Sequence, residues 1–252
     1  MAWKTPDRFW TRAIAEAARD GWTIRLDAKP LLTPAKTPLV VPSAPLADAI
    51  AAEWDAIEGT IRPETLHFTR LANSALDRVA PRRDDVIDDL AAYGTTDLLC
   101  YRAEAVSDLA ARQADAWDPW LTWAAKTLAA PLRTTTGLAP VPQPDASLAA
   151  LRRAVAENDS FTLAALHELV ALSGSLVLGL AVARHALRAE TAWPLSRIDE
   201  AWQIGRWGVD DDAEAAAALK CRDFLNAERM LLLLRSDVER DPGDPHAPRD
   251  LA

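Results

Sequence analysis

The first part of the chain contains an alternating hydrophobic and polar segment, whereas the remainder repeats its apolar residues with a helical period. Residues 21–27, Gly-Trp-Thr-Ile-Arg-Leu-Asp, place Trp22, Ile24 and Leu26 on one face of an extended segment. Alternation of this kind is typical of a strand with one buried face. The pattern therefore predicts a half-buried strand.

Two further short strands are predicted within residues 30–42, where four prolines exclude a helix interior and confine strands to sheet edges or strand starts. Upstream, Phe9, Ala13 and Ala17 recur at helical intervals, which predicts a short helix over residues 9–19. The first part of the chain is thus expected to hold a small antiparallel meander preceded by a helix.

From Ser43 onward the apolar residues recur at intervals of three and four, the period of an amphipathic helix. Ser43 is the expected N-cap of the first helix, and Gly59 is expected to close it. Further helices are predicted over residues 64–81, 82–93, 107–130, 147–157, 162–173, 175–188, 196–207 and 211–235.

These patterns predict an α+β fold that is mainly helical. A small antiparallel β-rich N-terminal domain is expected over residues 1–60, followed by a larger α-helical domain over residues 61–236. The prolines and charges of residues 237–252 predict a disordered tail.

Composition narrows the classes of partner. Lys and Arg number 28 against 37 Asp and Glu, a net charge of −9, which argues against non-specific nucleic-acid binding and against anionic membrane surfaces. The longest apolar stretch, residues 176–183, is far shorter than the roughly 20 residues that span a bilayer. We expect neither nucleic-acid binding nor membrane insertion.

The N-terminal residues and the cysteines bear on the compartment. Residues 1–6 lack the apolar core of a secretory signal. Two widely separated cysteines, Cys100 and Cys221, fit a reducing environment. The bacterial cytoplasm is the expected location, with the mitochondrial matrix as the alternative.

The densest candidate chemistry lies in residues 96–103, Thr-Asp-Leu-Leu-Cys-Tyr-Arg-Ala. Cys100 is either a nucleophile or a small buried apolar residue, and burial is favoured because its neighbours are apolar and no base is identifiable. His167-Glu168 resembles the start of a metalloprotease helix, but position 171 holds Ala171 instead of a second His. A hydrolase or transferase using Cys100 or His167 is the alternative function, while no catalytic, cofactor-binding or metal-binding residue is predicted.

The acidic run Asp210-Asp211-Asp212 precedes an alanine-rich helix. Capping that helix is the favoured interpretation, since carboxylates complement a helix N-terminus. An acidic contact patch for a partner is the functional alternative.

Several segments resemble one known family through their order and spacing, although no single segment is diagnostic. The matching segments are residues 21–31, 53–55, 68–77, 96–102, 117–119, 172–175, 200–203 and 207–208. Over nearly its whole length the chain resembles the assembly chaperones that bind the α subunit of the ATP synthase catalytic sector before the hexamer forms.

The resemblance implies a chaperone without enzymatic activity or cofactor, with a β-rich N-terminal domain and a helical C-terminal domain. It implies the ATP synthase α subunit as partner, whose nucleotide-domain interface the family shields until the β subunit takes its place. Such shielding is physically sensible because an unpaired interface aggregates. The chain is expected to act as a monomer.

Within the resemblance, structural roles are expected for Trp54, Asp97 and Arg102. Asp97 and Arg102 are expected to satisfy each other or nearby backbone groups. Partner contacts are predicted at four residues around the start of the last helix: Arg206, Asp210, Asp211 and Glu214.

Overall fold

The computed structural model describes residues 7–104, 108–137 and 139–235. They form two compact units, one of residues 7–69 with 230–235 and one spanning Arg70–Arg229. The domain boundary near residue 60 stays a prediction. The tail predicted after residue 236 lies outside the described residues.

The first unit contains a four-stranded antiparallel sheet. Its strands are β1 (Ala13–Ala18), β2 (Gly21–Leu26), β3 (Lys29–Pro30) and β4 (Val40–Val41). β2 is the central strand, because β1 pairs along its whole length and β3 and β4 pair with different halves of it. Ile24 and Leu26 are buried, which confirms the predicted half-buried strand.

The helix predicted over residues 9–19 is wrong, because residues 13–18 form β1. The register places Ala13 opposite Leu26, and pairing continues without interruption to the end of the strand. The sequence Ala-Ile-Ala-Glu-Ala-Ala is rich in helix formers. Pairing with β2 overrides that local preference.

Helix α1 (Ala44–Asp55) follows the sheet and packs on β1 and β2. The Ser43 hydroxyl accepts a hydrogen bond from the Leu46 N–H at 3.3 Å, which confirms the predicted N-cap. Leu46 and Ile50 are fully buried, so this face of α1 forms the core of the first unit.

The end of α1 carries two side chains that hold the start of the next helix. The Glu53 carboxylate accepts the N–H groups of Phe68 at 2.7 Å and Thr69 at 2.9 Å, two donors that a helix start leaves open. Burial raises the pKa of Glu53, although these hydrogen bonds act to lower it. The Trp54 N–H donates to the Thr69 hydroxyl at 3.0 Å, and its ring lies 5.2 Å from that of Trp10.

Helices make up most of the remaining chain. They are α2 (His67–Ser74), α3 (Arg83–Ala92), α4 (Asp108–Thr127), α5 (Asp145–Ala156), α6 (Ser160–Ser173), α7 (Leu176–Ala183), α8 (Ala189–Ser196), α9 (Ile198–Trp207) and α10 (Asp211–Arg235). Among the described residues no helix is long and apolar enough to cross a membrane. The predicted α+β class with a dominant helical part is confirmed.

Three details depart from the helices drawn from periodicity. The helix predicted from residue 64 begins at His67, and after α2 it continues as a π-helical turn, Ala75–Val79. Helix α8 separates two predicted helices. A short parallel pair, β5 (Tyr101–Arg102) with β6 (Thr135–Thr136), has no periodic signal in the sequence.

Helices α6 and α7 form the centre of the second unit. Gly174 ends α6 with φ 71°, and the Ser175 hydroxyl accepts the Leu178 N–H at 3.1 Å to begin α7. A Cβ at Gly179 would lie 2.6 Å from a methyl carbon of Val170, so only glycine permits this approach.

Candidate docking surface

Asp97 is fully buried and joins the turn before β5 to the start of α7. Its carboxylate accepts hydrogen bonds from the Leu99 N–H at 3.0 Å, the Ser175 hydroxyl at 2.8 Å and the Val177 N–H at 3.0 Å. Burial raises the pKa of Asp97, and the three donors oppose that rise. The side chain connects backbone segments about 80 residues apart.

Arg102 has its own partners and does not pair with Asp97. Its Nη2 lies 2.7 Å from Asp118 Oδ1, its Nε donates to the Leu99 C=O at 3.1 Å, and its guanidinium lies 5.2 Å from the centre of the Trp117 ring. Of the two arrangements expected from the sequence, mutual pairing is wrong. The bonding to nearby backbone is observed for both side chains.

Cys100 is fully buried between these two residues. Burial raises the pKa of its thiol to about 12, the Asp97 charge adds to the rise, and Arg102 opposes it. A thiol with this pKa stays protonated near neutral pH, whereas the thiolate is the nucleophilic form. The hydrolase or transferase alternative gains no support from Cys100.

His167 is exposed on α6 and lines a cleft of about 230 Å³ together with Glu168. Glu168 Oε1 lies 3.7 Å from Arg70 Nη2; burial raises the pKa of Glu168 and Arg70 acts to lower it. In the described ranges no group of three or more His, Cys, Asp or Glu side chains is placed to hold a metal ion. His167 therefore lacks the ligand set of a metalloprotease helix.

An apolar cavity of the second unit lies where α8, α9 and α10 meet. We call it the α9–α10 groove; it measures about 490 Å³. Its lining residues are Trp193, Arg197, Glu200, Ala201, Gln203, Ile204, Trp207, Gly208, Val209, Asp210, Ala213, Glu214 and Ala217. Gly208, with φ 92°, ends α9, and α10 begins three residues later at Asp211.

Three large apolar side chains of the groove are open to solvent. The exposed fraction is 74% for Trp207, 57% for Val209 and 45% for Ile204. Single exposed apolar residues are ordinary, but several within one cavity mark a binding surface. Trp207 is held in place edge-on against Trp202, with ring centres 5.8 Å apart.

The predicted contact residues lie at this turn, in different roles. Arg206 stacks 4.2 Å above the Trp202 ring and lies 3.3 Å from Asp108 Oδ1, which fixes it within the chain. Asp210 caps α10, since its Oδ1 accepts the N–H groups of the second and third residues that follow it at 3.0 and 3.1 Å. Asp211 and Glu214 are exposed in the first turn of α10.

The structure thus brings Asp210 and Glu214 to the groove and leaves Arg206 and Asp211 beside it. Sequence reasoning missed the apolar residues Ile204 and Val209. The sequence signal that could have identified them is their position close to Trp207, at the turn that contains Gly208.

Known proteins match the chain along nearly its whole length. The crystal structure of Atp12 from Paracoccus denitrificans matches with a TM-score of 0.87 and 49% identity, covering 92% of this chain and all of that one. The Atu1473 protein of Agrobacterium tumefaciens matches with a TM-score of 0.87 and 38% identity, covering 91% of this chain and 86% of that one.

Sequence comparisons agree. Residues 7–125 match the family model described as ATP12 chaperone protein. The mitochondrial protein atp12 of Schizosaccharomyces pombe is 26% identical over 252 residues, which is 95% of this chain and 86% of that protein. Fold and sequence together define the class of this protein as a molecular chaperone. The chain belongs to the ATP12 chaperone family and has the fold of its solved members.

Proposed function

We propose that the chain is an assembly chaperone that binds the free α subunit of ATP synthase and prevents its aggregation before the hexamer assembles. Membership of the ATP12 chaperone family carries this proposal. The α subunit as client follows from the resemblance of the sequence motifs. The protein acts as a monomer in the bacterial cytoplasm.

A chaperone for an assembly intermediate needs a surface that covers apolar area and can still be displaced. An unpaired subunit exposes an interface that aggregates. A small apolar centre with a polar rim gives an affinity that the next subunit can overcome. A surface that meets these requirements consists of exposed apolar side chains bordered by charged ones.

We assign client binding to the α9–α10 groove. Trp207 is the expected anchor because it is the most exposed large apolar side chain of the groove, and tryptophan is enriched among residues that dominate interface energies. Asp210, Asp211 and Glu214 supply an acidic rim on the adjoining turn. Arg206 remains a predicted client contact. Its guanidinium is held beside the groove by stacking on the Trp202 ring.

The client is tested by co-purification. Tagged full-length protein is expected to retain the ATP synthase α subunit and not the β subunit when each is expressed alone with it. Retention of neither subunit would contradict the proposal. Equal protection of unrelated aggregating proteins would instead indicate a general holdase.

The groove assignment is tested by Trp207→Ala. Truncating a dominant interface tryptophan typically costs about 2 kcal/mol or more, so affinity for the α subunit is expected to fall by at least about 30-fold. Leu219→Ala is the matched control, because Leu219 is 54% exposed on α10 but does not line the groove. Titration calorimetry should show wild-type affinity for the control. If Trp207→Ala binds the α subunit with wild-type affinity, the client-binding surface lies elsewhere on the protein.

A further inference from the structure

The outer edge of β1 carries backbone groups that point away from the sheet. The Asp27 N–H donates to the Arg12 C=O at 2.9 Å, so these residues form a hydrogen-bonded pair of the β1–β2 ladder. Bonded and non-bonded pairs alternate along antiparallel strands. The N–H and C=O groups of Ala13, Ala15 and Ala17 are therefore directed away from β2.

One of these outward-directed groups, the Ala13 N–H, already has a hydrogen-bonding partner, so the edge can accept one. The Ala13 N–H donates to Asp55 Oδ1 of α1 at 3.1 Å. Within the described residues β2 is the single strand that pairs with β1. Among the described residues, the N–H and C=O groups of Ala15 and Ala17 thus form the unpaired part of this edge.

This edge lacks the usual protection against strand pairing. Natural edge strands are commonly guarded by proline, lysine, a bulge or great shortness. β1 has six residues, Ala-Ile-Ala-Glu-Ala-Ala, in unbroken register with β2. Its one charge, Glu16, is engaged by Arg25 at 3.4 Å. An added strand would meet no repulsive group in the strand itself.

A groove of about 350 Å³ runs beside the edge. Residues 12–15 form one wall, and α1 forms the other through Asp48, Ala51, Ala52 and Asp55. The small alanine side chains leave room for a chain, and Ile14, 38% exposed, offers apolar contact on the outer face of the sheet. A strand edge next to a helix is the arrangement that peptide-binding domains use for strand addition.

We propose that β1 and α1 bind an extended segment of the client by β-strand addition, with main-chain hydrogen bonds to Ala15 and Ala17. The segment carries a basic side chain opposite Asp48, since this exposed carboxylate lines the groove and has no ion pair within the described residues. This surface shares no residue with the α9–α10 groove. The inference rests on the proposed function because it takes the same client.

Two other occupants are possible in principle and are separated by experiment. A second copy of the chain would bring together two molecules that each carry a net charge of −9, which disfavours it. A segment of the same chain would cover the edge at every protein concentration. Both alternatives give protection before any client is added.

Site-resolved amide exchange on the full-length protein tests the edge directly. The Ala15 and Ala17 N–H groups are expected to exchange fast in the free protein, whereas the Ile14 and Glu16 N–H groups, bonded to β2, exchange slowly. Addition of the α subunit should slow Ala15 and Ala17 at least tenfold. Unchanged fast exchange in a saturated complex would overturn the inference.

Protection in the free protein has two further outcomes, and each overturns the inference. Protection that disappears on dilution would identify a second copy as the occupant. Protection independent of concentration would show that the chain covers its own edge.

Ala15→Pro tests the same hydrogen bonds by mutation. Proline is tolerated on edge strands where its missing N–H would face outward, so the β1–β2 ladder is kept. Losing that donor and adding ring bulk should weaken α-subunit binding at least about tenfold. Ala15→Ser, which keeps the N–H, is the matched control and should bind within about twofold of wild type.

The two levels of the proposal fail separately. If wild-type protein does not bind the α subunit, the proposed function fails. If wild type binds, and Ala15→Pro remains folded and binds equally well, the strand-addition inference fails while the function stands. Should Ala15→Pro unfold, the exchange measurement on wild type still decides.

Discussion

Replacing Trp117 by alanine is expected to lower the free energy of unfolding by about 3–5 kcal/mol, the usual cost of truncating a buried aromatic side chain. Trp117 is fully buried in α4, and its indole N–H donates to the Leu195 C=O at 2.8 Å. Its ring also supports the Arg102 guanidinium at 5.2 Å. The truncation opens a cavity and leaves the carbonyl of the half-buried Leu195 without this donor.

Denaturant unfolding checks this, with Trp207→Ala as the control. Trp207 is largely exposed, so its removal should change the free energy of unfolding by no more than about 0.5 kcal/mol. A loss for Trp117→Ala no greater than that of the control would show that the second unit does not depend on this side chain.

Replacing Asp97 by alanine is the second change with a large expected effect, again about 3–5 kcal/mol, because several buried donors lose their common acceptor at once. The donors are the Leu99 N–H, the Ser175 hydroxyl and the Val177 N–H. All three donors belong to fully buried residues, so they are out of contact with bulk solvent.

Thermal unfolding checks this prediction, with Asp118→Ala as the control. The comparison distinguishes the loss of a buried hydrogen-bond network from the loss of a partly exposed ion pair. Asp118 is exposed and bonds the largely buried Arg102 side chain at 2.7 Å, and with one partner in solvent this pair is expected to contribute about 1 kcal/mol. Equal losses of stability for the two variants would mean that the buried hydrogen bonds of Asp97 contribute no more than this partly exposed ion pair.

How much of the fold the sequence predicts depends on the range of the deciding interactions. The Ser43 cap, the glycine that ends α6 and the close approach at Gly179 are local, and all three are predictable. β1 is not, because its residues favour a helix alone and become a strand only through β2. Likewise, the partners of Asp97 across the fold lie 78 and 80 residues away.

The candidate docking surface shows the same limit. The acidic turn at Asp210 is visible in the sequence, and its capping role follows from the position before a helix. Whether Trp207 lies in the core or on the surface cannot be decided from spacing, because tryptophan serves both places. That choice depends on which helices cover α9, and those contacts form only in the folded unit.

All residues that line the α9–α10 groove come from one continuous stretch, Trp193 to Ala217. About a tenth of the chain therefore supplies the whole lining of the groove, and the fully buried Asp97 and Trp117 lie outside that stretch. On the proposed assignment of client binding to this groove, substitutions in this stretch should change client preference while Asp97 and Trp117 stay unchanged. In such a protein, the residues that recognise the client can change in evolution while the fold is retained. Transferring residues 193–217 between related chains should therefore transfer client specificity with that one segment.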